Sequence, residues 1–140
     1  MKLSKNGSSP QKQFSELVAI MEKLRSKHGC PWDKHQTYNS LLPYLFSEAR
    51  EFKKAVKKRD YENMAEELGD VLLQVVFHSQ VAKEKGHFTI SDVLHSINTK
   101  LIRRHPHVFG GKKVRSSKEV IKLWGEIKRQ EKIDKKQNKK

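Results

Sequence analysis

Apolar residues recur at helical spacing along most of the chain. Phe14, Leu17, Met21 and Leu24 form one stripe, which predicts a first helix from about Phe14 to Lys27, closed by Gly29 and Pro31. The connector that follows, GCPWDKHQTYNS, is rich in turn formers and carries Trp32. A second helix is predicted from about Ser40 to Lys58, capped by Asn39 or Ser40, with Pro43 tolerated in its first turn. Asp60 caps a third, from about Tyr61 to Lys85, and Gly86 stops it. Within it Met64, Leu68, Val71, Leu72, Val75 and Val76 make a wide apolar face. A fourth runs from about Ser91 to Arg104 and ends at HPH. The fifth opens at Ser116, where SSKE reads as a capping box, and passes Trp124 before fraying into the tail. VVFH is β-prone but continues a helical period.

The pattern is therefore all-α, a helical bundle of about five helices. It divides into a flexible basic segment over residues 1–13, a helical domain over 14–128 and a Lys-rich, frayed tail over 129–140. So small a bundle buries little surface, and dimerisation through apolar helix faces is the expected remedy.

Composition narrows the class. Of the 140 residues 35% are apolar and 33% charged, as in a single soluble domain. The apolar runs are broken by Lys, Glu or His before they reach the length of a membrane span. MKLSKNGSSPQK has no apolar core and does not read as a secretory signal, and Cys30 stands alone. A cytoplasmic location is the expectation. The formal charge of +14 suggests a polyanionic partner, but its distribution argues otherwise. Residues 128–140 carry +5 and residues 1–13 carry +3, so the ends hold eight of the fourteen. Nucleic acid is expected only as a weak contact through the basic tail.

Two pairs of acids stand out from the apolar pattern. Glu48 and Glu51 lie three apart in YLFSEAREF, and Glu67 and Asp70 three apart in EELGDVLLQVVFH. Residues three apart lie about 60° from each other around a helix, so each pair shares a face. The brief KKRD turn makes helices two and three antiparallel and brings the pairs to a similar height. Four carboxylates at one point repel unless a cation lies among them. An oxygen-only donor set suits Mg²⁺, with Mn²⁺ as a substitute, rather than zinc. The plainer alternative is solvent-facing acids, with Glu51 paired to a nearby lysine. Asp70 and Gly69 are poor interior helix residues, so something besides helix propensity favours them, and Gly69 would admit the close approach of another backbone.

Cations cluster in KLIRRHPH, which supplies Lys100, Arg103 and Arg104 near a helix end. They read as phosphate contacts or as a solvated end favoured by the helix dipole. Trp124 and Lys128 are four apart, an aromatic and a cation suited to a base and a phosphate, unless Trp124 simply packs.

Three stretches, GCPWDKHQTYNSLLPYLFSEAREFKKAV, MAEELGDVLLQVVFHSQVAKEKGHFTISDV and KLIRRHPHVFG, together resemble the MazG-type nucleoside triphosphate pyrophosphohydrolases over roughly residues 14–130. CPWD, EELGD, QVVFH and RRHPHVF stand in the family's order. The resemblance implies an all-α fold, usually a dimer or dimer of dimers, and Mg²⁺-dependent hydrolysis of an NTP or dNTP to the monophosphate and pyrophosphate. It implies Glu48, Glu51, Glu67 and Asp70 as metal ligands. Glu48, Glu66 and Glu67 are the catalytic candidates. Lys100, Arg103, Arg104, Trp124 and Lys128 are the substrate-binding ones. Where the family usually has a further Glu, this chain has Ser47, with Glu66 as a partial substitute. Ser47, together with Lys53 and Lys54, motivates an alternative: a catalytically impaired module that binds nucleotide or protein without turnover.

Overall fold

The computed structural model describes residues 1–139. These fold into seven helices with no strand among them. The chain forms two compact units, Met1–Val93 and Leu94–Lys140.

The first unit holds α1 (Pro10–Leu24), α2 (Pro31–His35), α3 (Tyr38–Lys58), α4 (Tyr61–Glu84) and the first turn of α5 (Ile90–Arg104). α1 starts four residues before Phe14 because Ser9 caps it, accepting from the Lys12 N–H at 3.3 Å, and Pro10 suits the first turn. α3 also starts earlier than its apolar pattern. Its cap is Thr37, not Asn39 or Ser40. The Thr37 hydroxyl accepts from Ser40 N at 3.1 Å while the Ser40 hydroxyl accepts from Thr37 N at 2.8 Å. Pro43 therefore lies beyond the first turn, and the Asn39 carbonyl one turn back has no helical donor.

α3 and α4 are joined by Arg59 and Asp60 alone. Arg59 takes a left-handed conformation (φ 54°), and Asp60 caps α4 through the Asn63 N–H at 3.2 Å. Such a tight joint folds the two helices back on each other, and they form the principal helix packing of the unit. α1 packs on α4 as well. The core is Met21 of α1, Leu41 of α3 and Val76, Phe77 and Val81 of α4, with Phe14, Leu17, Val18, Leu24, Tyr38 and Leu73 packed around it.

The connector expected to be irregular contains α2, which opens with Pro31 in its first turn and has no side-chain cap. Arg25 pins it. One Arg25 guanidinium nitrogen donates to the carbonyls of Asp33 and, at 3.2 Å, Gln36. Trp32 meets Tyr44 and Phe77 edge-on, with centroids 5.6 and 6.3 Å away.

The second unit holds the rest of α5, α6 (Pro106–Phe109) and α7 (Ser117–Asn138). HPH closes α5 as expected and also opens the short α6. Ser116 caps α7 by accepting from Glu119 N at 3.2 Å. α7 continues past residue 129 as helix to Asn138, with Leu123 buried. Among the described residues no helix is long and apolar enough to cross a membrane.

Candidate functional site

In the first unit, α3 presents Glu48 and α4 presents Glu67 and Asp70. One carboxylate oxygen from each lies within 4.8 Å of the others, and all three residues are half-buried. None of the three has a hydrogen bond or an ion pair among the described residues. Lys54, on the same helix, is paired with Glu51 at 3.1 Å. Glu51, expected as a fourth ligand, thus stands outside the cluster, as the plainer reading of that pair had it. It is close enough for its charge to act on Glu48 and Glu67. Glu66 is exposed on the neighbouring position of α4, and Ser47 is half-buried beside Glu48 on α3.

The electrostatics follow from crowding. Burial, then the charges of Asp70 and Glu51, push the Glu48 carboxyl above the ordinary carboxylate range. Burial raises Glu67 too, followed by the charges of Asp70, Glu48, Glu51 and Glu66. Carboxylates that raise one another and have no cationic partner suit a hard divalent cation, which oxygen donors prefer. Gly69, next to Asp70, plays no part through close approach: it is exposed, and an added Cβ would meet nothing within 4 Å.

In the second unit, a cavity of about 590 Å³ is lined by the cations Lys100, Arg103, Arg104 and Lys135 and by the acids Glu131 and Asp134. Arg103 and Arg104 do not stand free. Glu131 of α7 accepts from Arg103 Nε at 3.2 Å, Arg104 Nε at 3.2 Å and Arg104 Nη2 at 3.3 Å. Those hydrogen bonds, from Arg104 and then Arg103, outweigh the effect of burial and take the Glu131 carboxyl down to about 2. No pattern in KRQEKIDKK distinguishes Glu131 from a solvated acid; its role depends on α7 lying against α5.

Trp124 sits beside the same arginine, its indole N–H donating to the Arg104 carbonyl at 2.8 Å and its ring edge-on to His105 at 5.3 Å. Lys128 is exposed and makes no cation–π contact with Trp124. Among the described residues those contacts are Arg25 over Phe77 and Lys85 over Tyr38.

The model of the MazG nucleotide pyrophosphohydrolase domain matches residues 36–109. The chain belongs to the MazG family. The match takes in all four paired acids and Lys100, Arg103 and Arg104, but not Trp124 or Lys128. A MazG nucleoside triphosphate pyrophosphohydrolase/pyrophosphatase of Thermotoga maritima is 57% identical over 123 residues, covering 88% of this chain and 47% of that protein. The nucleoside triphosphate pyrophosphohydrolase of Escherichia coli K12 is 42% identical over 127 residues, covering 90% of this chain and 48% of that protein. The chain thus spans about half the length of these MazG relatives. Among solved structures, a MazG-related protein from Thermotoga maritima superposes with a TM-score of 0.69 at 33% identity, covering 82% of this chain and 98% of that one.

Proposed function

We propose that this MazG-family chain hydrolyses nucleoside triphosphates, ribo- or deoxyribo-, to the monophosphate and pyrophosphate. The observation that carries the reading is the convergence of Glu48, Glu67 and Asp70, which form no ion pair among the described residues. These three residues would hold a divalent metal, Mg²⁺ by the hardness of the donors, with Glu51 able to join by leaving Lys54. Bound there, the metal supplies positive charge to phosphate oxygens and acidifies water.

The protein's own groups do the rest. Lys100, Arg103 and Arg104, in the second unit, would bind phosphate oxygens of the substrate. Glu66 is the best-suited general base of the three candidates. It is exposed and is no member of the ligand cluster, so it accepts a proton without surrendering a metal ligand, as Glu48 or Glu67 must. Trp124 serves the substrate side indirectly, through the Arg104 carbonyl.

We also infer that the chain dimerises. Leu42 and Phe46 on α3 and Leu68, Leu72 and Val75 on α4 leave an apolar surface 39–59% exposed per residue, more than one small core accounts for.

The test is a panel of ribo- and deoxyribonucleoside triphosphates with Mg²⁺, products separated by chromatography, with Glu67→Gln alongside. Monophosphate and pyrophosphate from the parent, lost in the variant, are expected. No turnover of any triphosphate by the folded protein, with Mn²⁺ also tried, would overturn the reading. Ser47 would then mark a nucleotide- or protein-binding module.

A further inference from the structure

The cavity beside α5 and α7 has a feature that phosphate binding alone does not require. Its two guanidiniums share one carboxylate. Glu131 reaches both Nε and Nη2 of Arg104 with its two oxygens and shares one oxygen with Arg103 Nε. The Arg104 and Glu131 side chains are only 23% and 18% exposed, whereas an ordinary surface pair lies open to water. Asp134, one turn farther along α7 and lining the same cavity, has no hydrogen bond or ion pair with either arginine; its hydrogen bond is from Gln130 Nε2 at 3.0 Å. α7 also holds Arg104 by the main chain, through the Trp124 indole seven residues before Glu131. Arg104 is thus fixed at both ends, and two adjacent like charges are held together by a single anion.

We infer that Glu131 is a positioning residue, which sets the Arg103 and Arg104 guanidiniums in the pose that receives a chain of phosphates. The inference rests on the reading of this cavity as the phosphate-binding part of the enzyme. The bonds to Glu131 use Nε of both arginines and Nη2 of Arg104. The other guanidinium nitrogens make no hydrogen bond among the described residues and are left for a ligand. An arginine already held in one rotamer loses less freedom when an anion arrives, and that saving appears as affinity. The low pKa of Glu131, about 2, keeps the carboxylate ionised at any working pH.

Positioning and simple charge have opposite consequences. Removing a negative charge from a cavity that binds an anion should tighten binding. Removing the group that orders the arginines should weaken it. The experiment is calorimetric titration of the full chain with inorganic tripolyphosphate in metal-free buffer, comparing the parent with Glu131→Gln, Glu131→Asp and Asp134→Asn. Melting temperatures serve as the check on folding.

We expect Glu131→Gln to bind about tenfold more weakly, the cost of ordering two arginine side chains. Glu131→Asp keeps the charge but is one methylene short, and is expected to fall between it and the parent. Asp134→Asn should bind as the parent does or more tightly. With a nucleoside triphosphate as substrate, the Glu131→Gln loss should appear in KM and leave kcat nearly unchanged. Glu131→Gln binding as well as or better than the parent would overturn the inference, and so would a parent that binds no tripolyphosphate. Should Glu131→Gln fail to fold, Glu131→Asp decides: parent-like affinity overturns the inference. Tripolyphosphate binding with the expected ranking, but no turnover of any nucleotide, would sink the catalytic reading alone. Turnover without the ranking would sink only the role of Glu131.

Discussion

Arg25 and Glu84, 59 positions apart, are joined by two hydrogen bonds, Nε to Oε2 at 2.8 Å and a second nitrogen to Oε1 at 3.1 Å. The Arg25 side chain is 7% exposed and also serves the Asp33 and Gln36 carbonyls, so one guanidinium ties the α2 connector to the end of α4. Burial raises the Glu84 carboxyl, but hydrogen bonds from Arg25 and Gln80 and the Arg25 charge outweigh it and leave the group below its ordinary range. Arg25→Ala strands two carbonyls and the carboxylate together. It should destabilise the fold by about 2–3 kcal/mol, read from urea denaturation. A loss under 1 kcal/mol would mean that water replaces the guanidinium.

Gly69 offers a gain rather than a loss. It lies inside α4, and an added Cβ meets no atom within 4 Å. Gly69→Ala then changes only helix propensity and unfolded-chain entropy, and should stabilise by about 0.5–1 kcal/mol. Thermal melting checks it. A drop in stability would show that the position is covered in the assembled protein.

These two residues show where sequence reading works and where it stops. Helical periods located every long helix, and local chemistry set two of the caps, Asp60 of α4 and Ser116 of α7, as their sequences predict, while the Ser9 and Thr37 caps of α1 and α3 lie outside the apolar pattern. The spacing of Glu48, Glu67 and Asp70 was legible for the same reason, since two helices joined by two residues leave little freedom of register. What depends on contacts distant in sequence was not legible. The composition of EAREFKK does not tell whether Glu51 turns to the cluster or to Lys54. Nor do Arg25 and Glu131 announce themselves, for their partners lie 8 to 59 and 27 to 28 positions away. α2 was hidden because five residues give too short a period to detect.

The Glu131 pair has a definite pH signature. Its carboxyl lies at about 2 in the folded chain against an ordinary 4.5, so ionisation favours the fold. That contribution is complete above about pH 4.5 and fades as the pH falls from there towards 2. The stability gap between the parent and Glu131→Gln should be constant near neutrality and close across that acidic window. Urea denaturation at a series of pH values measures it. A gap unchanged down to pH 3 would show that the Arg103 and Arg104 hydrogen bonds do not depend on the charge.

Dimerisation makes a prediction about surface chemistry. Phe46 is 59% exposed on α3, and Leu72 is 41% exposed on α4. A charge at either position cannot be buried against a second chain without a partner. Sedimentation velocity should show a dimer for the parent and a monomer for Phe46→Glu, with helical circular dichroism retained. A parent that sediments as a monomer at every concentration would refute the pairing.

The acidic cluster trades stability for binding. Burial, and then the repulsion of neighbouring carboxylates, makes Glu48 and Glu67 hold protons more tightly than ordinary carboxylates. A raised folded pKa means the charged form works against the fold, and the cost is felt above the ordinary value of 4.5. Glu67→Gln removes one charge and should melt higher than the parent at pH 7 in the presence of a chelator. Mg²⁺ should reverse the order. A ligand at a hundred times its Kd adds about 2.7 kcal/mol to the protein that binds it, and Glu67→Gln has lost a donor. Differential scanning calorimetry with and without Mg²⁺ reads both halves. If the variant melts lower than the parent even under chelation, the acids are held by contacts other than a metal. If both proteins respond alike to Mg²⁺, the ion binds elsewhere.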